Sequence, residues 1–154
     1  MSLGSLNMAD LVKTARARRS ENEPMTELPA DVRRLFDGPN YAHLATLMPD
    51  GAPHSAPLWV GLEGDRIALL TSPSSRKARN MARDARVAIS ITDHDQPFVM
   101  ASVRGQVAER VEGDAAWVII DRLSDKYLGQ PYPLRTDRVV FLIEPEHARA
   151  VTYG

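Results

Sequence analysis

The sequence predicts a mainly β protein with some helix, an α+β fold in which about six antiparallel strands form a small barrel with short peripheral helices. Three observations predict it. After Tyr41 the hydrophobic period changes from helical to strand-like, and the turn signals Pro49-Asp50-Gly51-Ala52 and Glu63-Gly64-Asp65 cut the run into strand-length pieces. A long alternating run follows from about Phe98 to Val111, with Gly105 in its middle. One amphipathic segment, Asp114 to Leu128, is long enough for a substantial helix.

A chain of 154 residues suits one domain with a proper core. Hydrophobic residues make up 44% and charged residues 25%, the balance of an ordinary soluble globular protein. The net charge is -1, from 19 basic and 20 acidic residues, so neither nucleic acid nor a membrane surface has a long-range attraction to exploit. Any functional positive charge must be local. The absence of cysteine excludes disulfides, thiolate nucleophiles and cysteine-ligated metal sites. No apolar stretch approaches a membrane span and no signal core opens the chain, so the expected location is cytoplasmic.

Residues 1–28 are expected to be a flexible tail and 29–154 the folded domain. The tail carries a basic segment, Lys13 through Arg19, and Val12, Ala15 and Arg16 suit one short helix. Its opening, Met1 to Met8, reads in part as an expression-tag remnant, with Met8 a native start. Val32, Leu35 and Phe36 then recur at helical spacing, and Asp37-Gly38-Pro39-Asn40 stops that helix.

Tyr41–Met48, His54–Leu62 and Arg66–Thr71 are expected as three consecutive strands of a meander, the first turn relying on Asp-Gly to supply positive φ. A short helix from Arg76 to Asp84 follows, with Ala78, Met81, Ala82 and Ala85 as its buried stripe. Arg86–Thr92 alternates cleanly, with Val87, Ile89 and Ile91 on one face. In the long strand Val99, Ala101, Val103, Gly105 and Val107 share a face, and Gly105 marks a bulge or bend. Asp114 is the expected N-cap of the long helix and Gly129 its stop; Ala116, Ile119, Ile120, Leu123 and Tyr127 form its apolar stripe. Arg138–Ile143 is a continuous apolar run, hence a strand buried on both faces, and His147–Thr152 extends the sheet.

The strongest chemical signal is the junction Thr71-Ser72-Pro73-Ser74-Ser75-Arg76-Lys77-Ala78-Arg79-Asn80. A strand ends there and a helix begins, with unpaired amides that attract anions. Positive side chains are unfavourable at that end of a helix dipole, so Arg76 and Lys77 make sense with an anion between them. A basic, N-capped surface helix accounts for the same residues equally well.

No Walker loop, Rossmann glycine pattern or Gly-x-Ser-x-Gly elbow competes with this site. His43, His54, His94 and His147 show no metal-ligand spacing, and Asp93-His94-Asp95 reads as a solvated loop; no metal is expected. In His54-Ser55-Ala56-Pro57-Leu58-Trp59-Val60 a proline sits inside a strand, which confines it to an edge or a bulge. A flat ring lying beside that backbone suits it, although Trp59 alone reads as core. The run Asp125 to Pro133 places Lys126, Tyr127 and Tyr132 around a Gly/Pro turn, either as a pocket rim or as a helix C-cap with its packing.

Together these residues resemble the pyridoxamine 5′-phosphate oxidase-like, FMN-binding split-barrel superfamily, from about Tyr41 to Thr152. The resemblance implies a six-stranded antiparallel split β-barrel. It also implies that Ser75, Arg76 and Lys77 hold a cofactor phosphate, with Leu70 and Thr71 flanking it and Asn80 near the cofactor. Ser55, Ala56, Pro57, Leu58 and Val60 match the strand along the cofactor ring. Met100 and Ala101 match contacts supplied by the second subunit of a homodimer whose cofactor sites lie at the subunit interface.

The family's vitamin B6 oxidases have an arginine and a lysine where this chain has Ser55 and Val60, and a C-terminal arginine–histidine pair that is missing here. The motifs His43-Leu44-Ala45-Thr46, Asp50 to His54, Pro57-Leu58-Trp59 and Tyr127-Leu128-Gly129 are closer to the branch that uses the deazaflavin F420. The polyanionic tail of that cofactor would give Arg79 and Arg83 a purpose. The expectation is therefore an F420-dependent reductase of small unsaturated or aromatic molecules, with FMN as the alternative cofactor. A carrier of cofactor, haem or tetrapyrrole is the alternative from another class. No catalytic acid or base is assigned.

Overall fold

The structure is a computed structural model and describes Met25 and residues 27–153. The basic segment, the short helix and the tag remnant of the expected tail lie outside these residues; of its last residues, Leu28 is buried in the core with Met25 packed against it, and the Leu28 N–H donates to Asp65 Oδ1 (3.2 Å). Among the described residues three helices, α1 (Ala30–Asp37), α2 (Arg76–Arg83) and α3 (Gly113–Leu128), accompany seven strands. The strands are β1 (Ala42–Leu47), β2 (Pro53–Leu58), β3 (Gly61–Glu63), β4 (Arg66–Thr71), β5 (Arg86–Thr92), β6 (Val99–Val111) and β7 (Val139–Thr152).

All seven form one antiparallel sheet in the order β2-β1-β5-β6-β7-β4-β3. Its two ends, β2 and β3, are separated in the chain only by Trp59 and Val60. A sheet whose edge strands are joined by two residues must roll up, so the sheet is a barrel with a seam beside β2. Val32, Phe36, Leu44, Ile67, Leu69, Ile89, Ile91 and Phe141 fill its interior.

The strand count is seven rather than six, because the expected strand His54–Leu62 breaks at Trp59-Val60. The expected meander fails for the same reason: β2 pairs with β1 while β3 pairs with β4 at the far side of the sheet. The break is enforced from outside the strand. Val60 gives its N–H to the Tyr127 hydroxyl (3.1 Å) and its carbonyl accepts from Lys126 Nζ (2.5 Å), leaving neither group for a ladder.

Elsewhere the alternation is kept. Val87, Ile89 and Ile91 point inward from β5, and Gly105 on β6 sits at a register shift opposite Pro145. A Cβ at Gly105 would lie 2.2 Å from the Glu144 carbonyl oxygen, so the two backbones approach as only glycine allows. The two C-terminal strand pieces are one continuous β7. Val139, Phe141 and Ile143 face the barrel, while Val140 and Leu142 pack under α3 with Ala116, Ile120 and Leu123.

Two helix details differ from expectation. The N-cap of α3 is Glu112, which makes no side-chain cap bond, and Asp114 lies inside the first turn; Gly129 ends the helix in the left-handed region as expected. In α2 the buried residues are Ala78, Asn80 and Met81, with Ala82 exposed. The helix turns its amide side chain inward because Thr46 waits there as a partner.

Candidate functional site

The N-terminus of α2 is built by serines. Ser75 caps it, its hydroxyl accepting from the Ala78 amide (3.2 Å) and bonding the Thr71 hydroxyl (2.9 Å), which ties the helix start to the end of β4. The Ser75 amide donates back to the Ser72 carbonyl (3.1 Å), and the Ser72 and Ser74 hydroxyls meet at 3.1 Å. The first turn carries no acid. Arg76, Lys77 and Arg79 form no ion pair among the described residues. Partial burial holds the Lys77 ammonium below its ordinary pKa. Three cations thus gather at the positive end of a helix, where their repulsion is relieved by an anion.

The second wall is the free edge of β2. The hairpin closes with Met48 N–H donating to the Ala52 carbonyl (2.8 Å), which makes Met48 and Ala52 a hydrogen-bonded pair. By the alternation of antiparallel ladders, Thr46–His54, Leu44–Ala56 and Ala42–Leu58 are bonded pairs too, and Pro53, Ser55 and Pro57 turn their backbone groups away from β1. Both prolines therefore occupy positions where the ladder asks for no N–H. Between them the Ser55 amide is the one main-chain donor on that edge of β2. Because β3 follows β2 after two residues and pairs with β4 from Gly61↔Ala68, β2 leaves from the end of that pairing where β4 runs on toward α2. The seam thus lies between an edge with few donors and the segment leading into α2.

The remaining residues singled out by the sequence are distributed unevenly. Thr71 is buried at the end of β4, and Leu70 faces the other way, into the α3 cluster. Asn80 is fully buried, its Nδ2 donating to Thr46 Oγ1 at 3.0 Å. The Arg83 guanidinium is spent on the Leu47 carbonyl and on Asn80 Oδ1, which leaves Arg79 as the arginine further along the helix without an ion pair among the described residues. Val60 is buried at the β2–β3 break. Met100 and Ala101 are not brought to α2. They pair with Thr92 and Ile91, about 20 Å along β5 from its α2 end, and the Ala101 side chain points into the core.

Some features escaped the sequence. His54 Nδ1 is buried without a hydrogen-bond partner on the strand next to Ser55. Trp59 stacks on Tyr127 (5.0 Å between centroids, planes 5° apart), with Tyr132 edge-on to Trp59 at 6.0 Å; Tyr41, just before β1, has its ring 5.7 Å from that of Tyr127.

 The signal for this cluster was present in the sequence as Trp59, Tyr127 and Tyr132, but nothing in the spacing pairs them. A cavity of about 300 Å³ opens beside it, between α1, β3 and α3, with Lys126, Asp37, Asp125 and Glu63 around a floor that includes Phe36 and Leu123. Burial lowers the pKa of Lys126 to about 8, partly offset by Asp37, and burial raises that of Tyr127 to about 12.

The family model described as pyridoxamine 5′-phosphate oxidase matches residues 28–152. Among solved structures, an F420 reductase is 30% identical with a TM-score of 0.69, over 79% of this chain and 98% of that one. A conserved hypothetical protein from Mycobacterium tuberculosis is 27% identical with a TM-score of 0.66, over 87% of this chain and 88% of that one. A haem-binding protein from Mycobacterium smegmatis is 26% identical with a TM-score of 0.63, over 82% of this chain and 56% of that one. No curated protein matches the sequence.

Proposed function

The chain belongs to the pyridoxamine 5′-phosphate oxidase family of split barrels, in its F420-reductase branch, and on that premise we propose that it is an F420-dependent reductase. The observation that carries the reading is the trio Arg76, Lys77 and Arg79 at the positive end of α2 with no anionic partner among the described residues. Such a cluster fits a phosphate. The seam beside it fits a flat ring, because Pro53 and Pro57 leave the β2 edge only the Ser55 amide as a donor and so discourage strand addition.

In this reading Ser75, Arg76 and Lys77 hold the cofactor phosphate, with Thr71 beside it, Leu70 offering that side only its main chain, and Asn80 bracing the helix from within. Ser55 to Leu58 line the ring, the Ser55 amide offering it a donor, and Val60, buried at the β2–β3 break, backs them from within. Met100 reaches each site from the opposite subunit of a homodimer, which accounts for its distance from α2 within one chain, while Ala101, fully buried in its own barrel, backs that strand without touching the cofactor. The chemistry supplied by the bound deazaflavin is hydride transfer to an electron-poor carbon of a small unsaturated or aromatic acceptor, with the balancing proton taken from solvent. The Tyr127 hydroxyl is already committed, donating to the Asn40 carbonyl at 2.6 Å, so it serves as a structural group rather than an acid.

FMN is the second reading. It gains from the loss of Arg83 to the Leu47 carbonyl, since Arg79 then faces a polyanionic tail without that neighbour. Mixing the protein with reduced F420 and electron-poor enones or dyes, and following reoxidation of the cofactor, tests the proposal. Acceptor-dependent turnover supports it. Tight cofactor binding with no acceleration of any acceptor's reduction identifies a carrier instead.

A further inference from the structure

Two successive residues at the end of α3 grip three separate stretches of main chain. Lys126 Nζ donates to the carbonyls of Phe36 (2.8 Å), at the end of α1, and of Val60 (2.5 Å), at the β2–β3 break. The Tyr127 hydroxyl accepts from the Val60 amide (3.1 Å) and donates to the Asn40 carbonyl (2.6 Å), while its ring carries Trp59 face to face. Both polar groups of Val60 are thus held by one helix turn.

We infer that Lys126 and Tyr127 are positioning residues for the ligand edge of β2: by fixing Trp59 and Val60 they set the distance from Ser55–Leu58 to the start of α2. The inference rests on the seam being the ring site. A purely structural prop at this place would be better served by an apolar side chain, because the ammonium of a half-buried lysine is partly desolvated. The lysine earns its position by satisfying two carbonyls that packing alone would leave unpaired.

The grip depends on protonation. Around Lys126 stand Asp37 from α1, Glu63 from β3 in an ion pair with Arg122 (2.9 Å), Asp125 on α3, and the phenols of Tyr127 and Tyr41. Burial brings Lys126 to about 8, whereas Tyr127 stays near 12 and does not titrate in the same range. Loss of the Lys126 proton turns two charge-assisted hydrogen bonds into neutral ones of roughly half the strength. Val60 is then held less firmly, and the seam loses its fixed width.

The chain has two tryptophans, so Trp117→Phe leaves Trp59 as the sole reporter. In that background Trp59 emission of the ligand-free protein is recorded across the alkaline range, and F420 and FMN are titrated at each pH. We expect emission to change with a midpoint near 8 and cofactor affinity to fall by about threefold or more above it. Lys126→Arg keeps the donors and the charge, so it restores binding with a flat profile; Lys126→Met weakens binding at every pH. If cofactor binds with the same affinity and pH profile in both variants as in the parent, the positioning role is overturned while the ring site stands. If emission titrates with Lys126 but neither cofactor binds, the ring site falls and takes this inference with it.

Discussion

Lys77→Ala separates a ligand-binding lysine from a merely structural one, because its two effects have opposite signs. In the ligand-free protein Lys77 sits in the first turn of α2, partly buried, with no ion-pair partner among the described residues. A cation there opposes the helix dipole by about 0.3–1 kcal/mol. Its removal should therefore leave stability unchanged or raise it by about 0.5 kcal/mol, measured as the urea midpoint. Its lowered pKa also makes the parent gain stability as pH rises from the folded value toward 10.5, and the variant should lose that rise. A charge-assisted hydrogen bond to phosphate is worth about 1.5–3 kcal/mol, so cofactor affinity should drop by roughly 10- to 150-fold. Fluorescence or visible titration reads that drop. A variant destabilised by more than about 1 kcal/mol with unchanged cofactor affinity would refute the reasoning.

Ser75→Ala removes the α2 cap and strands the buried Thr71 hydroxyl, so unfolding should become easier by about 2 kcal/mol in urea. Gly105→Ala drives a Cβ into the Glu144 carbonyl and should cost about 3 kcal/mol; a loss under about 1 kcal/mol would mean that β6 and β7 are further apart. Arg86 holds the Asp84 carboxyl at about 2, so this pair adds stability above the ordinary carboxylate value of 3.8 and loses it as pH falls toward 2. Thermal unfolding of Arg86→Ala should show a shallower acid limb, and an unchanged limb would count against the pair.

Local features were legible where the cause is local. Asp50-Gly51 makes its turn with Gly51 at positive φ, Gly129 ends α3, and the alternation of β5 survives intact, since each rests on the residue's own conformational preference or periodicity. The break at Trp59-Val60 was not legible, because its cause is a pair of side chains 66 and 67 residues away. Asn80 is the same kind of case: its inward turn depends on Thr46, 34 residues distant. At the candidate site the sequence marked Ser75, Arg76 and Lys77, while the seam they face emerged only once the ends of the sheet were known.

The most direct measurement is a pair of equilibrium titrations of the purified protein, one with F420 and one with FMN, followed by fluorescence. The account predicts saturable F420 binding that weakens at least tenfold in Lys77→Ala. Tight FMN binding with no F420 binding would contradict it.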